Sequence, residues 1–510
     1  MKTNYIYKYK HVLFTLSAFL FFNSTMIFFT QTAGIKRFAI VEVIVDDTTM
    51  LHGDSIHFCM SKDGINSNFT FDTDNYDYPI SKPRTKLIIP LSASINYGRI
   101  DFLDDHQQPL KSLNHDNNLF IFQPGDRVEL HLSSREGGVF FTGKNAGKYN
   151  GMYKINSCDN IQSLGEFNTD IKLKKINSAY VYRKHLLDSI YALQTNILNQ
   201  LKNEINKEVY DLIRLDCWAK YNQQLVDIYL SPFLIQRSEE LPTAKLLFNK
   251  DYLNYKEVFF NDTALLVKSY YYCDFLVKKE KAFAIIMGST NEISYYNNLK
   301  FGNINDAIDR HYVNGVLKDK VRLLSLYNIN RVRQGDFADY LDAAISEAGN
   351  DIFKKRIIAF KDANGFLANA FPFALPDKNG RVYRLSDFKG KMVIMDFWFT
   401  GCHGCVGMGA VLKPIALFYK SNPNVVFISM SIDRNRDLWL KSLEEEIYCS
   451  KDEINLLAGM DRESSIYKHY DLQGCPTLIV ISKEGKIISA APPDPRIDAG
   501  VFKTFINKYL

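Results

Sequence analysis

The segment DFWFTGCHGCVGM, residues 396–408, constrains this chain more than any other part of it. An apolar run, a Thr-Gly turn and two cysteines opening a further apolar stretch read as strand, turn and helix start. That order has a chemical reason. The first turn of a helix leaves N–H groups without intrahelical partners and carries roughly half a positive charge. A thiolate placed there is stabilised, so its pKa falls from about 8.5 by one or more units. Cys402 is then the candidate nucleophile toward a disulfide, and Cys405, one turn in and shielded, the candidate resolving thiol. The same spacing serves as half of a zinc site or as a haem attachment. Zinc needs a second pair at suitable spacing, which the sequence lacks, and haem attachment needs His where Val406 stands. No metal and no cofactor is expected.

With 510 residues the chain exceeds what one hydrophobic core accommodates, so a multidomain organisation is expected. Its 62 Lys and Arg against 57 Asp and Glu leave a net charge of +5, without a basic run suited to phosphates. Nucleic acid is not an expected partner. Eight cysteines are too sparse for a disulfide scaffold. Cys59, Cys158, Cys217, Cys273 and Cys449 show no working spacing; buried thiols and one or two structural bridges both fit them. At the N-terminus, Lys2, Lys8 and Lys10 precede an almost wholly apolar stretch, 12–30. Residues 1–33 therefore read as an export signal, either cleaved near Thr32-Ala33 or retained as a membrane anchor.

Three regions follow. Residues 34–160 hold short strand-like runs: FAIVEVIV (38–45), KLIIPL (86–91), RIDFL (99–103), LFIF (119–122), RVELHL (127–132) and GVFFTG (138–143). Their spacing suggests a β-rich, sandwich-like N-terminal domain. GKNAGKY (143–149) resembles a phosphate-binding loop, but its glycine spacing is wrong and Tyr149 stands where Ser or Thr should meet magnesium. It reads as a turn beside a strand. Residues 161–365 read as an α-helical middle domain. Leu186, Ile190, Leu193, Ile197, Leu201, Ile205, Val209 and Leu212 recur every three or four residues, as on one helix face. His185 and His311 stand alone and read as ordinary surface or core histidines. From 366 to 510 strands and helices alternate, predicting an α/β sheet covered on both faces, with 477–490 a hairpin turning at KEG (483–485).

A second signal lies about seventy residues beyond the cysteines: Gly474-Cys475-Pro476-Thr477 stands just before an apolar strand, where a proline suits a cis peptide. The lead-in FPFALPDKNGRVYRLSDFKGKMVIMDFW, the motif DFWFTGCHGC and the segment GCPTLIVISKEGKI occur in order. Together they resemble the thioredoxin-like domain of bacterial envelope proteins of the TlpA/ResA and AhpC/TSA-like group. The resemblance covers about 370–510 and implies a thioredoxin fold and thiol–disulfide oxidoreductase activity. It implies that Pro476 is cis against the disulfide, that its neighbour Cys475 holds substrate backbone, and that Trp398 supports the site. It also implies a periplasmic or cell-envelope location.

Departures from the group qualify individual residues. Asp396 matches the buried Asp of thioredoxin, where relatives in this group often carry Asn; it either relays the proton of Cys405 or is satisfied by backbone. Met408 replaces an active-site Glu, and Ala410 the helix proline. His403 either adds positive charge beside Cys402 or is simply solvated. Cys475 is either a small filler or a third thiol competing for the pair or for a soft metal. The expected function is reduction of disulfides in exported proteins, recharged by a membrane thiol electron donor. A partner-binding envelope protein with a minor redox role is the alternative. A thiol peroxidase is disfavoured, because Met395 and Phe399 stand where that chemistry needs Pro and Thr or Ser.

Overall fold

The computed structural model describes residues 37–45, 54–61, 73–103, 118–133, 138–158, 176–234, 241–252, 262–288, 301–327, 337–433, 435–459, 466, 469–470, 472 and 474–510. The expected export segment and the boundary expected at 160/161 lie outside these residues. Among the described residues no helix is long and apolar enough to cross a membrane.

The N-terminal strands are β1 (Phe38–Val45), β2 (Ser55–Ser61), β3 (Thr73–Pro79), β4 (Arg84–Pro90), β5 (Asn96–Leu103), β6 (Leu119–Phe122), β7 (Arg127–Ser133) and β8 (Gly138–Thr142). They form two four-stranded sheets, ordered β4-β1-β7-β8 and β3-β2-β5-β6. In β1 every second residue, Ala39, Val41, Val43 and Val45, is buried, as the two-residue period of a strand dictates. The sequence reading missed β2 and β3. The run TDNYDYP of β3 lacks a strand-forming composition, and pairing along all seven residues of β2 outweighs that local preference.

The expected turn at 143–149 is present but gives way to a helix. Gly143 has φ +91°, and α1 (Ala146–Ser157) begins three residues later. Lys148 is buried in an ion pair, its Nζ 2.5 Å from Asp126 Oδ2, which also accepts from the Tyr149 hydroxyl at 2.9 Å. This segment fastens α1 to the sheets.

Helices α2 (Ile176–Gln200), α3 (Lys207–Leu234), α4 (Leu241–Tyr252), α5 (Thr263–Lys268), α6 (Tyr272–Gly288), α7 (Phe301–His311), α8 (Val316–Tyr327), α9 (Phe337–Glu347) and α10 (Asp351–Asn364) follow. The stripe expected to run unbroken from Leu186 to Leu212 does not. Asn206 accepts from Val209 N–H at 2.9 Å, an end-capping bond that starts a new helix, and Leu193 is exposed. The buried face of α2 is Leu187, Ile190, Gln194 and Leu198 instead. His311 contacts the wholly buried Glu280, Nδ1 to Oε2 at 2.6 Å. Strands and helices from Ala39 to Phe360 share one hydrophobic core.

The C-terminal part opens with the small hairpin β9 (Ala374–Pro376) and β10 (Val382–Arg384). Then come β11 (Met392–Trp398), α11 (His403–Tyr419), β12 (Val425–Ser431), α12 (Arg436–Glu445), β13 (Ile454–Leu457), β14 (Thr477–Ile481), β15 (Ile487–Ser489) and α13 (Ala499–Tyr509). The sheet order is β13-β12-β11-β14-β15, with β11 central and buried along its whole length. β11 runs parallel to β12 and antiparallel to β14, and β14–β15 is the expected hairpin. Met392 and Ile394 face α11 and α13, whereas Val393, Met395 and Phe397 pack on the opposite layer. The two cysteines thus emerge at the carboxyl end of a central parallel strand, where open α/β sheets place their sites.

Candidate functional site

Cys402 and Cys405 are joined in a disulfide, with Cα atoms 5.2 Å apart. Helix α11 starts one residue after Cys402, which caps it: the Cys402 sulfur accepts from the Cys405 backbone N–H at 3.1 Å. This is the helix-start environment that the motif implied, and it favours negative charge on that sulfur. Cys402 is 6% exposed and Cys405 is wholly buried, so Cys402 is the more accessible of the two although itself largely enclosed.

The turn before the pair is held from outside the motif. Asp433, just beyond β12, accepts from Thr400 N–H at 3.0 Å and from the Thr400 hydroxyl at 2.9 Å. The Tyr448 hydroxyl accepts from Gly401 N–H at 2.8 Å, and Gly401 has φ +92°, a left-handed conformation that suits glycine. Trp398 is fully buried, stacks on Tyr448 at 4.8 Å and donates through Nε1 to Ser429 Oγ at 2.6 Å. It supports the turn from below. His403 is exposed at the first position of α11.

The peptide between Cys475 and Pro476 is cis, and the Cys475 carbonyl oxygen lies 3.6 Å from the Cys402 sulfur. A Cβ added at Gly404 would sit 3.1 Å from Pro476 Cδ, so motif and proline loop are in close contact. Arg496, before α13, donates through Nη1 to the Gly404 carbonyl at 3.3 Å while Asp494 grips its Nε and Nη2. Cys475 is partly buried and unbonded, and burial drives its thiol far up, with Asp396 and Asp433 adding to it. Cys449 joins the cluster of Trp398, Trp439 and both active-site cysteines; burial pushes its thiol up to about 12. Both remain protonated at neutral pH and are poor nucleophiles. Of the other cysteines of open pairing, Cys158, Cys217 and Cys273 are buried and Cys59 is partly buried, each as a thiol. Among the described residues no group of three or more His, Cys, Asp or Glu is placed to hold a metal ion.

Asp396 is 5% exposed, and its Oδ1 has no hydrogen-bond partner among the described residues. Burial, then the neighbouring Glu453, pushes its carboxyl well above the usual carboxylate range, and Arg496 offsets this only in part. Of its two alternatives, satisfaction by backbone fails for that oxygen. Asp433, Tyr448, Arg496 and Glu453 were invisible to the sequence reading. They sit in separate segments with no motif spacing, and only the fold gathers them.

The site can therefore hold a reactive dithiol or disulfide at a helix start, walled by aromatics and by the proline loop. Comparison with known proteins agrees. A family model described as thioredoxin-like matches residues 390–487. The thiol–disulfide oxidoreductase ResA of Bacillus subtilis is 25% identical over 132 residues, covering 26% of this chain and 70% of that protein. ResA of Bacillus thuringiensis is 28% identical over 116 residues, covering 23% and 63%. Among solved structures, the thioredoxin domain of a thiol–disulfide oxidoreductase from Bacteroides vulgatus is 26% identical, covering 28% of this chain and 98% of that one, with a TM-score of 0.24. The matched region coincides with the sheet, the cysteine pair and the proline loop just described. The C-terminal part of this chain is a thioredoxin-like domain similar to that of the thiol–disulfide oxidoreductases, and the chain is an enzyme of that class.

Proposed function

We propose that this chain works in the periplasm or cell envelope and reduces disulfides of exported proteins, with Cys402 as nucleophile and Cys405 as resolving thiol. The observation that carries the assignment of roles is the cap: the Cys402 sulfur takes the Cys405 N–H at the start of α11 and is the more exposed of the pair. The Cys402 thiolate attacks one sulfur of a substrate disulfide and the other leaves as a thiolate. Cys405 then attacks Cys402, re-forming the pair and releasing the second substrate thiol. Cys475 and Pro476 present backbone beside Cys402, where an extended substrate segment can lie. Each cycle consumes two electrons, which outside the cytoplasm a membrane thiol donor supplies. The charged and apolar N-terminal stretch supports export and leaves both a cleaved and an anchored form open.

Direction is tested by redox titration of the full chain, following the two thiols by mass-tagging. A midpoint at or below about −270 mV fits a reductant; one near −120 mV marks an oxidant and overturns the reductase reading.

A further inference from the structure

Resolution needs a destination for a proton. Cys405 is wholly buried, so its thiol has no direct access to solvent. On the sheet that carries the cysteine pair, β11, β12 and β13 set Asp396, Ser429 and Asn455 side by side in register, one residue from each strand. Strand alternation puts this row on the same face as Trp398, and Glu453, two residues before Asn455, is near enough to Asp396 to push its carboxyl up. The row is not satisfied internally. Asp396 Oδ1 and Asn455 Oδ1 in it, and Trp439 Nε1 of α12, are buried without a hydrogen-bond partner among the described residues, and Trp439 packs in the cluster that holds both active-site cysteines. Buried polar atoms are rarely left so, and several together form the usual lining for ordered water. Glu453 is part-exposed, and its Oε2 accepts from Ser450 N–H at 2.7 Å.

We propose that Glu453 is the outer station of a proton path that leads from Cys405 through Asp396 and bridging water to solvent. It serves the resolving step as a relay residue, acting through Asp396 without touching the sulfurs. This rests on the reading of Cys405 as the resolving thiol. In the mixed disulfide, Asp396 passes its proton along the water to Glu453 and takes the proton of Cys405, and Glu453 releases one to solvent. The Cys405 thiolate attacks the Cys402 sulfur. The Cys402–Cys405 bond forms and the bond from Cys402 to the substrate sulfur breaks. The substrate thiolate leaves with the electron pair and takes a proton from solvent. The domain loses two electrons, the substrate gains two, and no further reactant is needed.

The surroundings suit the role. Glu453 meets Lys413 of α11, its neighbour Asp452, and Asp396 and Cys449 on the inner side. Asp396 meets Arg496, Cys475 and Cys449 besides Glu453. Burial pushes the Glu453 carboxyl up to about 7, against the Ser450 N–H and Lys413, which pull it down. It therefore gains and loses a proton near neutrality, as a relay must. The folded chain holds this proton at a higher pH than the unfolded chain does. The group's contribution to stability is thus complete at acid pH and is lost as the pH rises through about 7.

The test uses the full chain, reduced, with 5,5′-dithiobis(2-nitrobenzoate) as the disulfide. The first thionitrobenzoate released reports attack by Cys402, and the second reports resolution by Cys405. Glu453→Gln is expected to slow the second release about tenfold above neutrality and to remove its pH midpoint, while the first release is unchanged. Glu453→Asp restores most of the rate. Equal thermal midpoints for Glu453→Gln and the unaltered chain at acid pH verify folding; if the Gln variant fails this, the Asp variant and its shifted midpoint carry the test. A second-release profile identical in the Gln variant and the unaltered chain overturns the proposal. A second release that persists in Cys405→Ser removes the underlying reading, and the relay with it.

Discussion

Replacing Cys402 by Ser lowers insulin disulfide reduction by on the order of 10³-fold or more, since no remaining group can form the first mixed disulfide. The other cysteines near the site do not substitute for it. Burial holds Cys449 up to about 12 and Cys475 higher still, so their thiolate populations at neutral pH are negligible. Cys405→Ser behaves differently. It retains the capped nucleophile and loses the thiol that releases substrate, so it accumulates mixed disulfides that reductant cleaves. If the substrates are exported proteins, the trapped partners are drawn from that set, and the double variant traps none. Equal loss of activity in both variants with no trapped species in Cys405→Ser contradicts the assigned order of the thiols.

Two glycines two residues apart on α11 respond in opposite directions when changed to Ala. At Gly409 a Cβ would lie 2.5 Å from the Tyr448 carbonyl oxygen and 2.8 Å from that of Ile447. These are backbone atoms and cannot swing aside. Helix propensity alone gains about 1 kcal/mol from Gly to Ala, but overpacking of this kind costs about 3 kcal/mol, so the clash decides the sign. The displaced segment carries Tyr448, whose hydroxyl holds Gly401 and whose ring stacks on Trp398. Gly409→Ala is therefore expected to lose about 2 kcal/mol of stability and much of its activity together. At Gly407 the nearest atom to an added Cβ is Arg496 Cδ at 3.9 Å, an ordinary contact. Gly407→Ala is expected to be neutral or to gain up to about 1 kcal/mol, with activity retained. Thermal melts of both variants check the pair. A stable, active Gly409→Ala protein means that the packing of α11 against residues 447–448 does not hold the site.

Long apolar runs and the redox motif were readable before any fold was known. FAIVEVIV and LFIF are strands β1 and β6 residue for residue, and the alternation from 392 onward is the thioredoxin-like sheet. Cys402, Cys405 and Trp398 pack in one cluster with the Cys475–Pro476 loop against them, and Asp396 lies on the same strand face as Trp398. What stayed hidden has physical causes. The strands INLL and ALP are too short to show a period, and TDNYDYP pairs because β2 offers it an edge. The helical stripe was read through Asn206 because a cap bond leaves the hydrophobic spacing intact. Asp433, Tyr448, Glu453 and Arg496 act through loops that the sheet brings together from distant parts of the sequence. Trp398 stands in the motif, yet its place is beneath the turn and wholly buried, which only packing reveals.

The account depends most on a Cys402 sulfur held as an anion at the start of α11. Alkylation of the reduced chain by iodoacetamide, followed against pH with peptide mass spectrometry on Cys402, measures this directly. The predicted result is labelling of Cys402 at neutral pH well ahead of a free cysteine in an unstructured peptide, with a midpoint below about 8.5. Labelling that is no faster than the peptide's, with a midpoint at or above that value, contradicts it.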